Sequence, residues 1–176
     1  MSSLSLSSLS SLPSSLPSLS GATKVLQDLE TNSSTSDSAT FCDNLADSIS
    51  SSMGGTSGCL LEIFFRSMGT FFVTQENGNW PDALLSGLNA IKLYGGAQVG
   101  MRTMLDSLEP AIQALRSSDL ATAVVAAKEG AERTKTLISL AGRSNYIDND
   151  FLKDTPDPGA VSVSVAFLAA FEALSK

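Results

Sequence analysis

The fold class this sequence predicts is all-α, an antiparallel helical bundle, and three observations predict it. Apolar residues recur at three- and four-residue spacing in seven successive stretches, caps and glycine pairs punctuate most of the joins, and no convincing strand alternation intervenes. With 176 residues the chain suits one domain large enough to bury a core.

Residues 21–30 carry the first stripe, Ala22, Val25, Leu26 and Leu29, which stops at the polar cluster 31–37. Ser36 or Asp37 can cap a second helix with Phe41, Leu45, Ile49 and Met53 on one face, closed by Gly54 and Gly55. A third starts at Thr56 or Ser57 and runs through Leu60, Ile63, Phe64, Met68, Phe71 and Phe72, a face too apolar to meet water. Asn77, Gly78 and Asn79 then turn the chain. Pro81 and Asp82 start a fourth helix with Leu84, Leu88, Ile91 and Tyr94, and Gly95 with Gly96 ends it.

Thr103 caps a fifth stretch holding Leu105, Leu108, Ile112 and Leu115, in which Pro110 predicts a kink. Ser118 and Asp119 open an Ala-rich helix expected to reach about Leu140. Residues 141–159 are rich in Gly, Asn, Asp and Pro and read as a long loop, the kind that carries function in a compact domain. The last helix is expected over 160–174, with Val161, Val165, Leu168 and Leu174 inward; the Ser/Val alternation at 161–165 is the one stretch that also reads as a strand.

Composition excludes several functions. Residues 1–20 contain only Met, Ser, Leu and Pro, with 11 serines, and read as a low-complexity tail ahead of a domain spanning 21–176. They lack the Arg of a transit peptide and the basic start and continuous apolar stretch of a secretory signal. A net charge of −7 with no basic cluster argues against nucleic acid. No apolar run approaches the ~18 residues that span a bilayer, so no membrane is expected. Cys42 and Cys59 form neither a metal spacing nor a disulfide framework, and the chain has no histidine. A cytoplasmic setting is the default, and catalysis at neutral pH would need carboxylates, bound metal or backbone groups.

Three glycine-containing clusters sit where loops feed helices. Met53-Gly54-Gly55-Thr56-Ser57-Gly58 places unpaired N–H groups, the positive end of a helix and two hydroxyls together, which suits a phosphate. No Lys follows the glycines, so it is not a P-loop, and taken alone it reads better as a tight interhelical turn, since glycine turns are common. The second cluster is Gly100-Met101-Arg102-Thr103-Met104-Leu105-Asp106. The third is Gly142-Arg143-Ser144-Asn145-Tyr146, answered across the long loop by Pro156-Asp157-Pro158-Gly159-Ala160. Arg143 suits a phosphate or a surface carboxylate, Met104 a ligand or the core, and 157–159 a ligand loop or a simple helix start.

In order and combination the series is more specific. Gly-Gly-Thr-Ser-Gly, a Tyr-Gly helix end, Arg-Thr-Met-Leu-Asp, Gly-Ala-Glu-x-Thr-Lys-Thr over 130–136, Gly-Arg-x-x-Tyr and Pro-Asp-Pro-Gly-Ala resemble the C-terminal nucleotide-binding domain of ATP-dependent dihydroxyacetone (glycerone) kinases. The L subunit of the bacterial phosphotransferase-linked forms is similar. The resemblance covers residues 21–176 and implies a barrel of eight antiparallel helices, seven to eight in this chain with the first incomplete, and a nucleotide, ATP or ADP, across one end. It also implies a place in glycerol metabolism. Thr56 and Ser57 match the family's phosphate-binding pair, and Gly95, Met104, Arg143, Asp157, Pro158 and Gly159 match positions lining its nucleotide site.

The match breaks at the metal. Family members hold two Mg²⁺ ions through a Gly-Asp-Gly-Asp-type motif before the first helix. Counted back without gaps, its acidic positions fall on Leu6, Ser11 and Pro13, and no carboxylate precedes Asp28. None of these three binds magnesium, so no residue is expected to act as a metal ligand or a catalytic group. Met101 also replaces an Asp of the family pattern, which removes a capping group from that loop. The substrate-binding histidine of fused kinases lies on a separate domain. The expected reading is therefore a domain truncated at its N-terminus and inactive alone. A full-length kinase or a substrate-binding domain would be supplied in trans, or the chain would act as a non-catalytic pseudo-kinase interaction module.

Overall fold

The computed structural model describes residues 24, 25, 27 and 37–175, without the side chains of Arg143 and Asn149. The expected tail 1–20, positions Leu6, Ser11 and Pro13, and most of the helix expected over 21–30 lie outside the described residues; residues 24, 25 and 27 are helical.

Among the described residues there are seven α-helices and no strand: α1 Ser38–Ser52, α2 Gly55–Thr74, α3 Trp80–Gly95, α4 Leu105–Ser117, α5 Leu120–Arg133, α6 Asn149–Leu152 and α7 Pro158–Leu174. The expected all-α bundle is what forms. Most starts have a side-chain cause. Asp37 accepts from the Ala39 and Thr40 amides, Asn79 from Asp82, Asp119 from Thr122 and Asp157 from Ala160. α3 ends on Gly96 at φ 69°, a left-handed closure that glycine accepts without a Cβ clash.

Cross-helix contacts run in opposite directions along successive helices, which makes the neighbours antiparallel. Arg66 of α2 pairs with Asp47 of α1, and the Gly69 position lies against Asp43 and Ala39. Ser67 meets Ser86 at 2.9 Å, Phe64 packs on Gly87 and Leu60 on Gly95. Lys92 pairs with Glu109, and Asp82 with Arg116. Ser107 Oγ donates to Ala127 O at 2.8 Å between α4 and α5. α7 returns onto α4 and α5.

These helices approach closely because their seams carry small residues. α1 buries Ala39, Cys42, Ala46 and Ser48 together with Ile49, and α5 buries Ala123, Ala127, Gly130 and Ala131. Phe64, Met68, Leu88, Ile91, Leu105, Leu108, Ile112 and Phe167 fill the space between. Trp80 stacks edge-on with Phe72 and Phe41 where α1, α2 and α3 meet, at the end away from the glycine clusters.

Four expectations need correction. The inward face of α1 is Ala39, Cys42, Ala46 and Ile49; Phe41 is exposed, because the close approach at Gly69 leaves no room for larger groups. α2 begins at Gly55, one residue before Thr56. α5 ends at Arg133, not near Leu140: a 3-10 turn Thr134–Thr136 follows, and the Thr134 hydroxyl is occupied by Ala131 O and Asp157 N. α7 starts at Pro158, includes the alternating 161–165 stretch, and buries Ala160 and Phe167, leaving Val165, Leu168 and Leu174 exposed.

α4 is helical on both sides of Pro110. Proline lacks the N–H that would have bonded the carbonyl four residues back, Asp106 O. That freed carbonyl faces α5, where Arg133 donates to it at 3.5 Å and a Cβ on Gly130 would overlap it. The obstacle is backbone, which cannot move aside as a side-chain tip would. Gly130→Ala should therefore lose about 1–3 kcal/mol in urea unfolding, against the ~1 kcal/mol that helix propensity alone would return. Gly54→Ala, with open space around it, should stay within about 0.5 kcal/mol. Equal midpoints for the two variants would contradict this account of the α4–α5 seam.

Candidate functional site

Antiparallel alternation brings the C-terminal ends of α1, α3 and α5 and the N-terminal ends of α2, α4 and α7 to one end of the bundle. The three glycine clusters lie there because each is a connection at that end.

The first is the turn into α2. Gly55 sits at φ 75°, and a Cβ on Gly58 would overlap the Met53 carbonyl, so the chain folds back tightly. The N-cap is Gly54, which offers no side-chain hydrogen bond. Among the described helices longer than one turn, α2 alone begins with no side-chain oxygen serving its first turn; even α4, capped by Met104, has Thr103 Oγ1 accepting from Leu105 N at 3.2 Å. Thr56 and Ser57 are exposed in that open first turn. Gly95 is also exposed, and its position meets Leu60, one turn along α2.

The second group centres on Asp106, which is 0 % exposed. Its Oδ1 accepts from Gly100 N at 2.6 Å and its Oδ2 from Thr103 N at 2.8 Å, which closes the loop that presents Met104. Met104 is half-buried against Gly159: a Cβ there would lie 3.2 Å from the Met104 Cβ. Asp157 is buried, its N–H donating to Thr134 Oγ1 at 2.7 Å and its Oδ2 accepting from Ala160 N at 2.9 Å. Pro158 is exposed and occupies the first turn of α7. Leu140 N donates to Met101 O at 3.2 Å, which ties the start of the long segment to the same loop. The Arg143 backbone follows in the 3-10 turn Arg143–Tyr146, after Gly142 at φ 73°.

Met104, Asp157, Pro158 and Gly159 are thus one cluster and Thr56, Ser57 and Gly95 another, at the same end of the bundle and connected through α3 and the 97–104 loop. Sequence reasoning named no role for Asp106, Thr134 or Arg102, the groups that hold the second cluster. The Asp at the third position after Thr103 was the available signal, since an acid there can close back on the preceding amide.

Burial is the largest influence on the Asp157 carboxyl and pushes it above its ordinary value of 3.8, while the Ala160 amide and the Arg102 charge pull it down. A raised acid binds its proton more readily folded than unfolded, so its contribution to stability is full at low pH and is lost as pH rises through the raised value. The exposed caps Asp37, Asp82 and Asp119 are lowered by hydrogen bonds from Thr40, Asn79 and Thr122, and so act in the opposite sense, losing stability on acidification. Asp157→Asn removes the titration. The Tm of the parent relative to this variant should therefore rise as pH falls from about 7 to about 4; a relative fall would show that ionised Asp157 is stabilised in place.

The sequence matches the DAK2 domain family over residues 18–172. It is 41% identical over 123 residues to a dihydroxyacetone kinase of Citrobacter freundii, covering 68% of this chain and 22% of that protein. To a triokinase/FMN cyclase of Rattus norvegicus it is 39% identical over 132 residues, 69% of this chain and 23% of that one. The crystal structure of the C. freundii dihydroxyacetone kinase superposes with a TM-score of 0.72 at 32% identity over 89% of this chain and 28% of its own. Its form in complex with AMP-PNP and Mg²⁺ gives 0.69 at 31% identity, over 88% and 27%. The chain spans about a quarter of the length of these relatives. No described helix is long and apolar enough to cross a membrane. Its helices, its motif loops and these matches together place the chain in the DAK2 domain family.

Proposed function

We propose that this chain is a nucleotide-binding domain of the C-terminal, L-type kind found in dihydroxyacetone kinases, and that by itself it does not transfer phosphoryl groups. The observation that carries the reading is the open first turn of α2, with Thr56 and Ser57 exposed at the same end of the bundle as Met104 and the 157–159 turn. Unpaired N–H groups and two hydroxyls suit phosphate oxygens. Gly95, and Met104 packed on Gly159, suit the flat, apolar part of a nucleotide, with Asp157 and Pro158 shaping that wall and Arg143 offering its charge to the phosphates. The domain spans 21–176, works in the cytoplasm, and takes ATP or ADP as its ligand. A neighbouring substrate domain or a full-length kinase would supply the acceptor site.

The related kinase bound to AMP-PNP contains Mg²⁺, and the donors described here do not fit that ion. Both oxygens of Asp106 already accept backbone N–H groups, and so does Oδ2 of Asp157. Among the described residues no three acidic, Cys or His side chains come together to hold a metal. The sequence has no carboxylate before Asp28. Polyphosphate charge is then compensated only by helix ends and side chains, which is too little for tight binding.

A second reading, a non-catalytic interaction module, draws on the apolar rim of the same end. Ile138, Leu140, Tyr146 and Phe151 are 60% or more exposed on the segments around 140–151. Mixing the chain with a full-length homologue and finding a stable complex by light scattering favours this reading; a monomer at every ratio speaks against it.

Calorimetry with ADP, with and without magnesium, tests the main proposal. Binding should be weak, and magnesium should not strengthen it by as much as tenfold, while millimolar ADP shifts the amide resonances of Thr56 and Ser57. Saturation at micromolar ADP that requires magnesium, or ADP release from ATP in the presence of dihydroxyacetone above the protein-free rate, would sink the account of an inactive domain.

A further inference from the structure

Beneath the candidate site lies one ionic side chain that the nucleotide reading does not use. Arg102 is 1% exposed and is the largest fully buried side chain among the described residues. Its Nη2 donates to Thr155 O at 2.9 Å and to Leu152 O at 3.4 Å, while Nε and Nη1 have no hydrogen-bond partner among the described residues. Among the described residues no carboxylate lies within ion-pair distance of it, so the carbonyls are what it grips.

Backbone geometry marks the same contact. Among the described residues only Arg102 and Asp154 are non-glycine residues at positive φ, 59° and 63°. One is the residue that grips, and the other lies inside the gripped 152–155 segment. Left-handed backbone in non-glycine residues persists where the surroundings over-determine it, often at ligand-holding sites. A buried cation with unpaired donors is a further cost that a merely space-filling residue would not impose.

Position in the chain shows what the contact spans. Arg102 stands two residues before Met104, and Thr155 two residues before Asp157. The gripped segment leads directly into the turn whose Gly159 packs on Met104. We propose that Arg102 is a positioning residue: its guanidinium latches the 152–155 segment to the Met104 loop and so sets the separation of Met104 from the Asp157-Pro158-Gly159 turn, without touching a ligand. Only the consequence for a nucleotide rests on the functional reading above; the latch stands on the carbonyl contacts. Arginine suits the task because the two hydrogens of its Nη2 are fixed in the guanidinium plane, so one nitrogen serves the Thr155 and Leu152 carbonyls in a set geometry that a freely rotating lysine ammonium does not hold.

Amide hydrogen exchange on the full chain without ligand tests the latch. In Arg102→Met, amides over 147–157 should exchange at least tenfold faster than in the parent, with those of α1 to α3 unchanged, and Arg102→Lys should recover part of the protection. Arg102→Gly separates the latch from backbone strain. It relieves the left-handed geometry but removes the guanidinium, so it should behave like the Met variant; parent-like protection in Arg102→Gly overturns the proposal, as does unchanged exchange in Arg102→Met. Should these variants fail to fold, the parent decides: one of its guanidinium groups must give slowly exchanging, rotationally restricted Nη proton signals by NMR, and their absence refutes the latch. A parallel ADP titration keeps the two readings apart. If ADP leaves the parent amides of Thr56, Ser57 and Gly159 unmoved while the exchange pattern holds, the nucleotide reading fails and the latch stands. If ADP binds the parent, its affinity should fall about tenfold in Arg102→Lys.

Discussion

Asp106 is fully buried, and an isolated buried carboxylate is costly enough that it must be paired or hydrogen-bonded. Here both oxygens accept short bonds from main-chain amides of its own loop, Gly100 and Thr103, so one side chain fixes seven consecutive residues. The same residue contributes a carbonyl released from helical bonding by Pro110 and covered by α5 at Gly130 and Arg133. Side chain and main chain of Asp106 therefore join a loop to a helix seam, and the position of Met104 follows from that join. Loss of either contact would leave a buried polar group unpaired, an outcome that usually costs more than the bond itself contributes.

The seams explain why such a contact is available. Helices lined with Ala, Gly and Ser come close enough for backbone to meet backbone, as where Ser107 donates to the Ala127 carbonyl and Thr134 bridges the Ala131 carbonyl and the Asp157 amide. The opposite end of the bundle is held differently, by edge-on aromatic rings around Trp80. The Trp80 end has directional bonds too, at the Asp37, Asn79 and Asp119 caps and the Asp82–Arg116 pair; those at the motif-loop end join loop backbone to helix seams and so place the loops.

Much of this was legible in the residues. Asp37, Asn79 with Pro81, Asp119 and Asp157 with Pro158 start helices as their side-chain chemistry requires, and Gly96 closes one. The motif loops were legible as loops feeding helices. The end of α5 was not, because Leu137, Ile138 and Leu140 continue a helical spacing while Thr134 is drawn off by a partner 23 residues away. The inward face of α7 was illegible for another reason: the helix is apolar nearly all round, so its pattern has no preferred side. For α1 Ile49 is buried as expected but Phe41 is not, since the close approach to α2 puts the small Ala39, Cys42 and Ala46 at the seam. Left-handed backbone at Arg102 has no counterpart in composition or spacing, and a lone arginine in a loop reads as a surface group.

What this end of the bundle can hold depends on how much positive charge it offers. Three helix N-termini point there, but three C-termini do too, so the dipoles largely offset one another and only a local excess at an open first turn remains. Asp157 already occupies the start of α7, and the Asp106 carboxylate sits at the start of α4, which leaves the start of α2 with no side-chain oxygen on its first turn, the place where the proposed phosphate would meet free N–H groups. Among the described side chains the cations near this end are mostly engaged: Arg133 faces the Asp106 carbonyl, Lys135 pairs with Glu132, Lys92 with Glu109, and Arg102 is buried. One partial charge of about half a unit, worth roughly 0.3–1 kcal/mol when exposed, can orient a single phosphate. It cannot neutralise a chain of them in a protein whose own net charge is −7. On the proposed nucleotide reading, orientation by the backbone and neutralisation by something else are thus separable tasks in this fold, and the described residues suit the first.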